Sequence, residues 1–378
     1  MSKRLVYVVS EDWAFITHRL SLAKHAIEKR YEVIAVTNIN DHGKNLSDIG
    51  IDVININFSR SFKKPFLDLV SLYKLIRVLQ RYKPDIVHNV GVKISLLSSL
   101  AGLFSKPKVI INAYTGLGYV FSSNSKLAKI IRFLLIPILR FLNSRTNTWT
   151  VFQNENDKLL FIKNKLIETS RTKIIKGSGV NTNEFPYMKE PEEPIIVMLA
   201  SRLLWDKGIG EFVETASELK SKHPEVKFVL VGDIDQQNPM SLETDTLNDW
   251  VKEGVIEWWG HKQNMSKILG LSHIITLPSY REGLPKVLLE AASIGRPIVT
   301  TNVPGCRDIV RDNVNGFLVD VKESSGLIEA IDKLILNKEL RLRMGLAGRE
   351  IILNELSSKK INEQFIKLYR KSTRPLKL

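Results

Sequence analysis

The amino-acid sequence predicts an α/β protein made of two doubly wound parallel sheets. Short β-branched runs alternate with longer stretches of helical period, the pattern of βαβ units. The alternation occurs twice, separated by a polar break holding Pro186, Pro191 and Pro194. With 378 residues, 44% of them hydrophobic, the chain is also longer than one core usually takes.

Taken in order, the first series predicts strands at 5–9, 33–36, 53–57, 85–88, 109–112, 148–152 and 173–176. The stretch from Phe66 to Tyr82 places Leu69, Leu72, Tyr73, Ile76 and Leu79 at three and four spacing and is stopped by Pro84, so it reads as an amphipathic helix. Residues 183–194 read as a linker. The second series predicts strands at 195–200, 227–231, 255–258, 274–277 and 298–301, with helices starting after Gly210, Pro285 and Ser324. A last amphipathic helix, 357–371, carries Ile361, Phe365, Ile366 and Leu368. The expected domains are therefore 1–186 joined by 357–378, and 187–356, facing each other across a cleft.

Charge separates the halves. Residues 1–190 hold 29 Lys and Arg against 14 Asp and Glu, whereas the remainder holds 26 against 26, so the whole net charge of +15 lies in the first half. Such asymmetry suggests that one domain faces an anionic surface or polyanion. The single Cys306 excludes an internal disulfide framework and a cysteine-built zinc site, and suits a reducing compartment. The amino terminus lacks a signal-peptide pattern, and the greasiest run, 130–142, is interrupted by Arg132, Pro137 and Arg140, short of the roughly 20 residues a bilayer span needs. A cytoplasmic protein is expected.

Two segments point to chemistry. In Glu282-Gly-Leu-Pro-Lys-Val-Leu-Leu-Glu290, Gly283 and Pro285 shape a turn into a helix whose first N–H groups are unpaired, an anion site. Its two carboxylates suit separate hydroxyl groups of one elongated ligand. Directly after the first strand of the second series comes Ser201-Arg202-Leu-Leu-Trp-Asp-Lys207-Gly208, whose planar guanidinium and compact ammonium suit a pyrophosphate. Asp233-Ile-Asp235 follows a strand and reads as turn chemistry rather than a metal triplet, so no metal or cofactor is expected.

These motifs, with Tyr-Arg-Glu-Gly-Leu-Pro-Lys-Val-Leu-Leu-Glu-Ala, Pro-Gly-Cys-Arg-Asp and Asn-Gly-Phe-Leu-Val in order, resemble the retaining GT-B glycosyltransferases of family 4, the E-x7-E group. The likeness extends over nearly the whole chain and is closest to transferases that build bacterial surface glycans on undecaprenyl diphosphate. It implies two Rossmann-like domains and a metal-independent transfer of an N-acetylhexosamine or hexose from a UDP-sugar. Arg202 and Lys207 would neutralise the leaving diphosphate, Glu282 would touch the donor sugar and Glu290 the ribose. Backbone N–H groups of Leu284, Pro285-flanked Lys286 and Val287 would meet the phosphates, Gly260 would lie near the base, and Gly179 and Asn181 belong to the inter-domain loop.

The amino-terminal half departs from the family, because Ser10-Glu11-Asp12-Trp13 stands where many members carry a glycine pair. His18 and His88 are candidate catalytic residues there, and Lys93 is a candidate for binding substrate, as are Thr115 and Gly116 in a glycine-rich turn. Residues 125–145 interleave an apolar body with Lys126, Lys129, Arg132, Arg140 and Arg145, and residues 60–83 hold seven cations against Asp68. Both suit an anionic membrane interface on its inner face, though 130–142 equally suits a buried helix. The expected partners are a UDP-sugar, a lipid-diphosphate-linked acceptor and that membrane surface. The basic segments lack interleaved aromatics or a reading motif, so no nucleic acid is expected. An epimerase of the same fold, or a non-catalytic nucleotide-sugar binder, would share the clamp.

Overall fold

The structure is a computed structural model that describes residues 2–40, 46–59, 64–115, 126–235, 238 and 240–373. It forms two compact units, Met1–Ser178 with Ile361–Leu378, and Gly179–Lys360. The chain thus changes unit after Ser178, earlier than the expected 186/187, because Val180 and Phe185 are already buried in the second unit's core.

The first unit holds seven parallel strands: β1 (Lys3–Glu11), β2 (Tyr31–Asn38), β3 (Ile51–Asn55), β4 (Ile86–Val90), β5 (Val109–Tyr114), β6 (Thr148–Phe152) and β7 (Thr172–Ile174), in the order β3-β2-β1-β4-β5-β6-β7. Central β1 is buried from Leu5 to Val9 without a break, as a strand covered on both faces must be. Leu5, Tyr7 and Val9 meet Ile361, Phe365 and Tyr369 of the last helix, Ser358–Ser372. Val6 and Val8 meet Leu75 and Leu79 of the Pro65–Tyr82 helix and Ile94 and Leu97 of the Val92–Ser105 helix.

The Lys126–Ser144 helix buries part of its apolar run and leaves part exposed. Leu135, Leu139 and Leu142 are buried against Tyr114, Phe152 and Phe161. Phe133 is 78% exposed, and Leu134 and Phe141 also stand in solvent. No helix among the described residues is long and apolar enough to cross a membrane.

The second unit holds six parallel strands: β8 (Ile196–Ala200), β9 (Lys227–Val231), β10 (Glu257–Trp258), β11 (Ile274–Leu277), β12 (Ile298–Thr301) and β13 (Gly316–Val319), in the order β10-β9-β8-β11-β12-β13. Strand β13 was not expected from the sequence. Its apolar run is only Phe-Leu-Val, too short to stand out by periodicity, and its place is fixed by pairing with β12.

The expected linker is strapped to this second unit. Arg296, 1% exposed, donates to the carbonyls of Met188 and Lys189, and Arg341 forms an ion pair with Glu190 at 2.9 Å with both side chains buried.

Candidate active site

In each sheet the strand order turns back once, at β1/β4 in the first unit and at β8/β11 in the second, and such switch points open a crevice at the carboxyl ends of the strands. The loops leaving β8 and β11 are residues 201–208 and 278–285, the two segments singled out by their charges. They touch. Gly208 has φ of 75°, and a Cβ there would lie 2.2 Å from the carbonyl oxygen of Pro278, so only glycine lets the first loop close on the second.

That approach brings Lys207 and Glu282 together. Lys207 Nζ stands 2.6 Å from Glu282 Oε1, with side-chain exposures of 18% and 12%. Ser279 Oγ donates to the same oxygen at 2.8 Å. The lysine thus keeps further N–H donors, and the carboxylate keeps Oε2 outside its described hydrogen bonds. Arg202 is more open and donates through Nη1 to Asp235 at 2.9 Å. Asp235 is therefore a guanidinium partner, and its amide neighbours are used in turns: Leu203 N–H donates to Asp233 and Asn238 N–H to Asp235. No group of three His, Cys, Asp or Glu side chains that could hold a metal ion occurs among the described residues.

Glu290 is the fifth residue of the Lys286–Ile294 helix and is 7% exposed, with Lys286 Nζ 3.6 Å away. Burial pushes its carboxyl up from 4.5 to about 7, against the pull of Lys286 and with Glu184 adding to the rise. The folded chain then holds this proton more tightly than the unfolded chain does. Its contribution to stability is complete below about pH 4.5 and is lost as pH rises through 7. We expect Glu290→Gln to remove this slope: urea midpoints measured from pH 4.5 to 7.5 fall more steeply in the wild type than in the variant. Equal slopes would refute it.

Under the loop, Cys306 is fully buried and its thiol is pushed up to about 12, mainly by desolvation, so it is inert packing. Gly260 adopts φ of 69°, and its carbonyl accepts from Gly232 N–H after β9. Gly179 has φ of 66°, and the atoms that would meet its Cβ are Leu356 O, Ser357 C and Ser358 N at 2.7 Å. The chain's own backbone requires this glycine. Asn181 is exposed, and its Oδ1 accepts from Asn183 N–H. Leu284, Lys286 and Val287 are half-buried around Pro285 at the helix mouth.

The candidates of the first unit disperse. The sequence reading ends the fourth strand at His88. In the structure β4 continues to Val90, and His88 is 0% exposed in the core, with Nδ1 2.6 Å from Tyr369 Oη and its ring between Tyr7 and Phe365. Burial holds its pKa well below the ordinary value. With no accessible atom it cannot touch a substrate, so its catalytic assignment is corrected to a packing role. Lys93 opens the helix after β4 and is paired with Asp68 at 2.6 Å. His18 closes the Asp12–His18 helix, half-buried, and its carbonyl accepts from buried Arg19. Thr115 is half-buried after β5, and Gly116 lies outside the described residues.

Several residues that shape the site carried no role in the sequence reading. Tyr280 stands inside a quoted motif, yet a tyrosine beside Arg281 and Glu282 reads as ordinary surface. Its partners, Asp206 and Glu211, are visible only once the two loops are docked.

Residues 180–351 match the family of group 1 glycosyl transferases, and residues 4–153 match a glycosyl transferase 4-like family. The chain therefore belongs to the GT-B glycosyltransferases of group 1, with a 4-like amino-terminal domain. It is similar to the N,N'-diacetylbacillosaminyl-diphospho-undecaprenol α-1,3-N-acetylgalactosaminyltransferase of Campylobacter jejuni, 28% identical over 376 residues, which cover 96% of this chain and 97% of that one. Its fold matches the crystal structure of a glycosyltransferase from Rickettsia africae with a TM-score of 0.80 at 20% identity, over 99% of both chains. It also matches an Anabaena protein in complex with UDP-glucose, with a TM-score of 0.75 at 17% identity, over 97% of this chain and 99% of that one.

Proposed function

We propose that this protein is a retaining, metal-independent glycosyltransferase that moves a hexose or N-acetylhexosamine from a UDP-sugar to an undecaprenyl-diphosphate-linked saccharide in bacterial surface glycan assembly. The observation that carries this reading is the Lys207–Glu282 pair at the second unit's switch point, a cation and a hydroxyl acceptor side by side at the mouth of a helix. The names of the relatives support the choice of donor and acceptor class: one transfers a sugar onto a diphospho-undecaprenol saccharide, and another holds UDP-glucose.

In this reading Lys207, Arg202 and the first N–H groups of the 286–294 helix bind the diphosphate, Glu282 Oε2 takes a donor-sugar hydroxyl and Glu290 the ribose. The bond from the sugar C1 to the β-phosphate oxygen breaks, the acceptor oxygen bonds to C1, and its proton passes to the departing diphosphate. Fixed cations and the helix N-terminus stabilise the charge that builds on that leaving group. The acceptor side belongs to the basic first unit.

The same reading places the first unit on an anionic membrane. Phe133, Leu134 and Phe141 are exposed on the 126–144 helix near Arg140, and Phe66, Leu69 and Tyr73 on the 65–82 helix near Lys74, Arg77 and Arg81. Apolar side chains among cations suit the headgroup boundary. A Phe133→Ser/Phe141→Ser variant is expected to bind phosphatidylglycerol vesicles about tenfold more weakly at unchanged melting temperature. Wild-type affinity would argue against this face.

The deciding experiment measures nucleoside diphosphate released from a panel of UDP- and GDP-sugars, with membrane lipid extract as acceptor and chelator present. Lipid-dependent release from one donor is the expected result. Release that needs added metal, or sugar interconversion without release, would overturn it, and donor binding without turnover would identify a binder.

A further inference from the structure

We propose that Tyr280 is a positioning residue that latches the second site loop to the first and so sets where Glu282 and the helix mouth stand. The inference rests on the reading of residues 201–208 and 278–285 as the donor site.

Tyr280 is attached at two points to the other loop. Its N–H donates to the Asp206 carbonyl at 2.9 Å, and its Oη donates to Glu211 Oε1 at 2.7 Å. Glu211 sits in the first turn of the Ile209–Lys222 helix, so the phenol reaches past the loop to a rigid element. Lys322 Nζ lies 5.1 Å from the centre of its ring on another side. The base of the same loop is pinned separately: Thr300 Oγ1 donates to Leu277 O at 2.6 Å, and Thr301 Oγ1 donates to Ser279 O. Glu282 lies two residues beyond Tyr280, between this double anchor and the helix that opens at Lys286.

The second observation is a pair of unsatisfied oxygens. Among the described residues, Glu211 Oε2 and Asp206 Oδ1 are shielded from solvent and have no hydrogen-bond partner. Two such carboxylate oxygens beside one tyrosine oppose folding, which a side chain chosen for packing alone would avoid. For Glu211 the orphan oxygen is the cost of holding a strong acceptor for the phenol, whereas Asp206 meets Tyr280 through its backbone carbonyl. Burial and the neighbouring carboxylates push the Tyr280 hydroxyl up to about 12, so it stays a donor throughout the neutral range.

The test compares Tyr280→Phe, Glu211→Leu, Glu211→Gln and the Tyr280→Phe/Glu211→Leu double variant in the full chain. Amide hydrogen exchange is read in the absence of ligand, and UDP affinity by calorimetry. Tyr280→Phe and Glu211→Leu are expected to speed exchange at residues 279–287 about tenfold and to weaken UDP binding about tenfold, with strand β9 unchanged. The double variant should match either single, and Glu211→Gln, whose side-chain carbonyl still accepts the phenol, should stay close to wild type. Exchange in Tyr280→Phe equal to wild type, or faster exchange in β9 as well, would overturn the latch. If the wild type does not bind UDP but loop exchange responds as stated, the latch stands and the donor-site reading falls.

Discussion

Lys207→Ala is expected to lower turnover of the sugar donor by a factor of about 10² to 10³ while the protein stays folded. Lys207 is the cation nearest to Glu282, held at 2.6 Å with only 18% of its side chain exposed. A charge held so firmly pays little reorganisation when negative charge develops on a departing diphosphate, and water screens it poorly. Removing it also leaves Glu282 with Ser279 as its described partner, so the carboxylate that should meet the donor sugar loses its orientation. Lys207→Arg should rescue little, because a planar fork cannot reproduce a compact ammonium in that space. Arg202→Ala is expected to cost less, since its side chain is 63% exposed and its ion pair with Asp235 is correspondingly screened. Nucleoside diphosphate release under saturating donor checks the order. A Lys207→Ala enzyme as active as wild type would remove the basis for the proposed function.

The largest loss of stability is expected from Arg341→Met, about 3–5 kcal/mol in the urea unfolding of the second unit. Arg341 and Glu190 are buried together, with side-chain exposures of 5% and 6%, and Arg341 Nη1 also donates to the carbonyls of Leu334 and Ile335. Removing the guanidinium strands a carboxylate and two carbonyls away from water, and that penalty exceeds the worth of the pair itself. The Arg341→Met/Glu190→Met double variant should recover a substantial part of the loss, because the orphaned charge goes with its partner. A single variant within 1 kcal/mol of wild type, on the order of an exposed pair, would show that the strap does not hold the segment.

The fold was largely legible because its signals are local. Unbroken apolar runs such as Leu5 to Val9 and Phe228 to Val231 mark strands buried on both faces, and Pro84 sits where helical period ends. The charged loops were legible for a related reason: each follows a strand directly, so a parallel sheet must place both at its carboxyl edge. The expectation failed where local pattern is silent. Val-His-Asn-Val reads as a strand leaving the core because buried parallel strands seldom carry histidine, and the residue that pairs with His88 Nδ1 is Tyr369, 281 positions away. The short β13 carries too few residues for a period to register.

Local sequence is enough for the class of fold, the order of most elements, the imbalance of charge between the halves and the two charged loops of the candidate site. Periodicity, turn residues and strand-to-loop adjacency are properties of neighbours along the chain, and they survive any uncertainty about packing. Packing alone sets which polar groups meet: Lys207 with Glu282 across 75 positions, Tyr280 with Glu211 across 69, Arg341 with Glu190 across 151. It also decided that the 126–144 helix buries one side and exposes the other, and that His88 is core. Those outcomes depend on strand register and on the approach of backbones, as at Gly208 and Pro278, where a single side-chain carbon would keep the two loops apart.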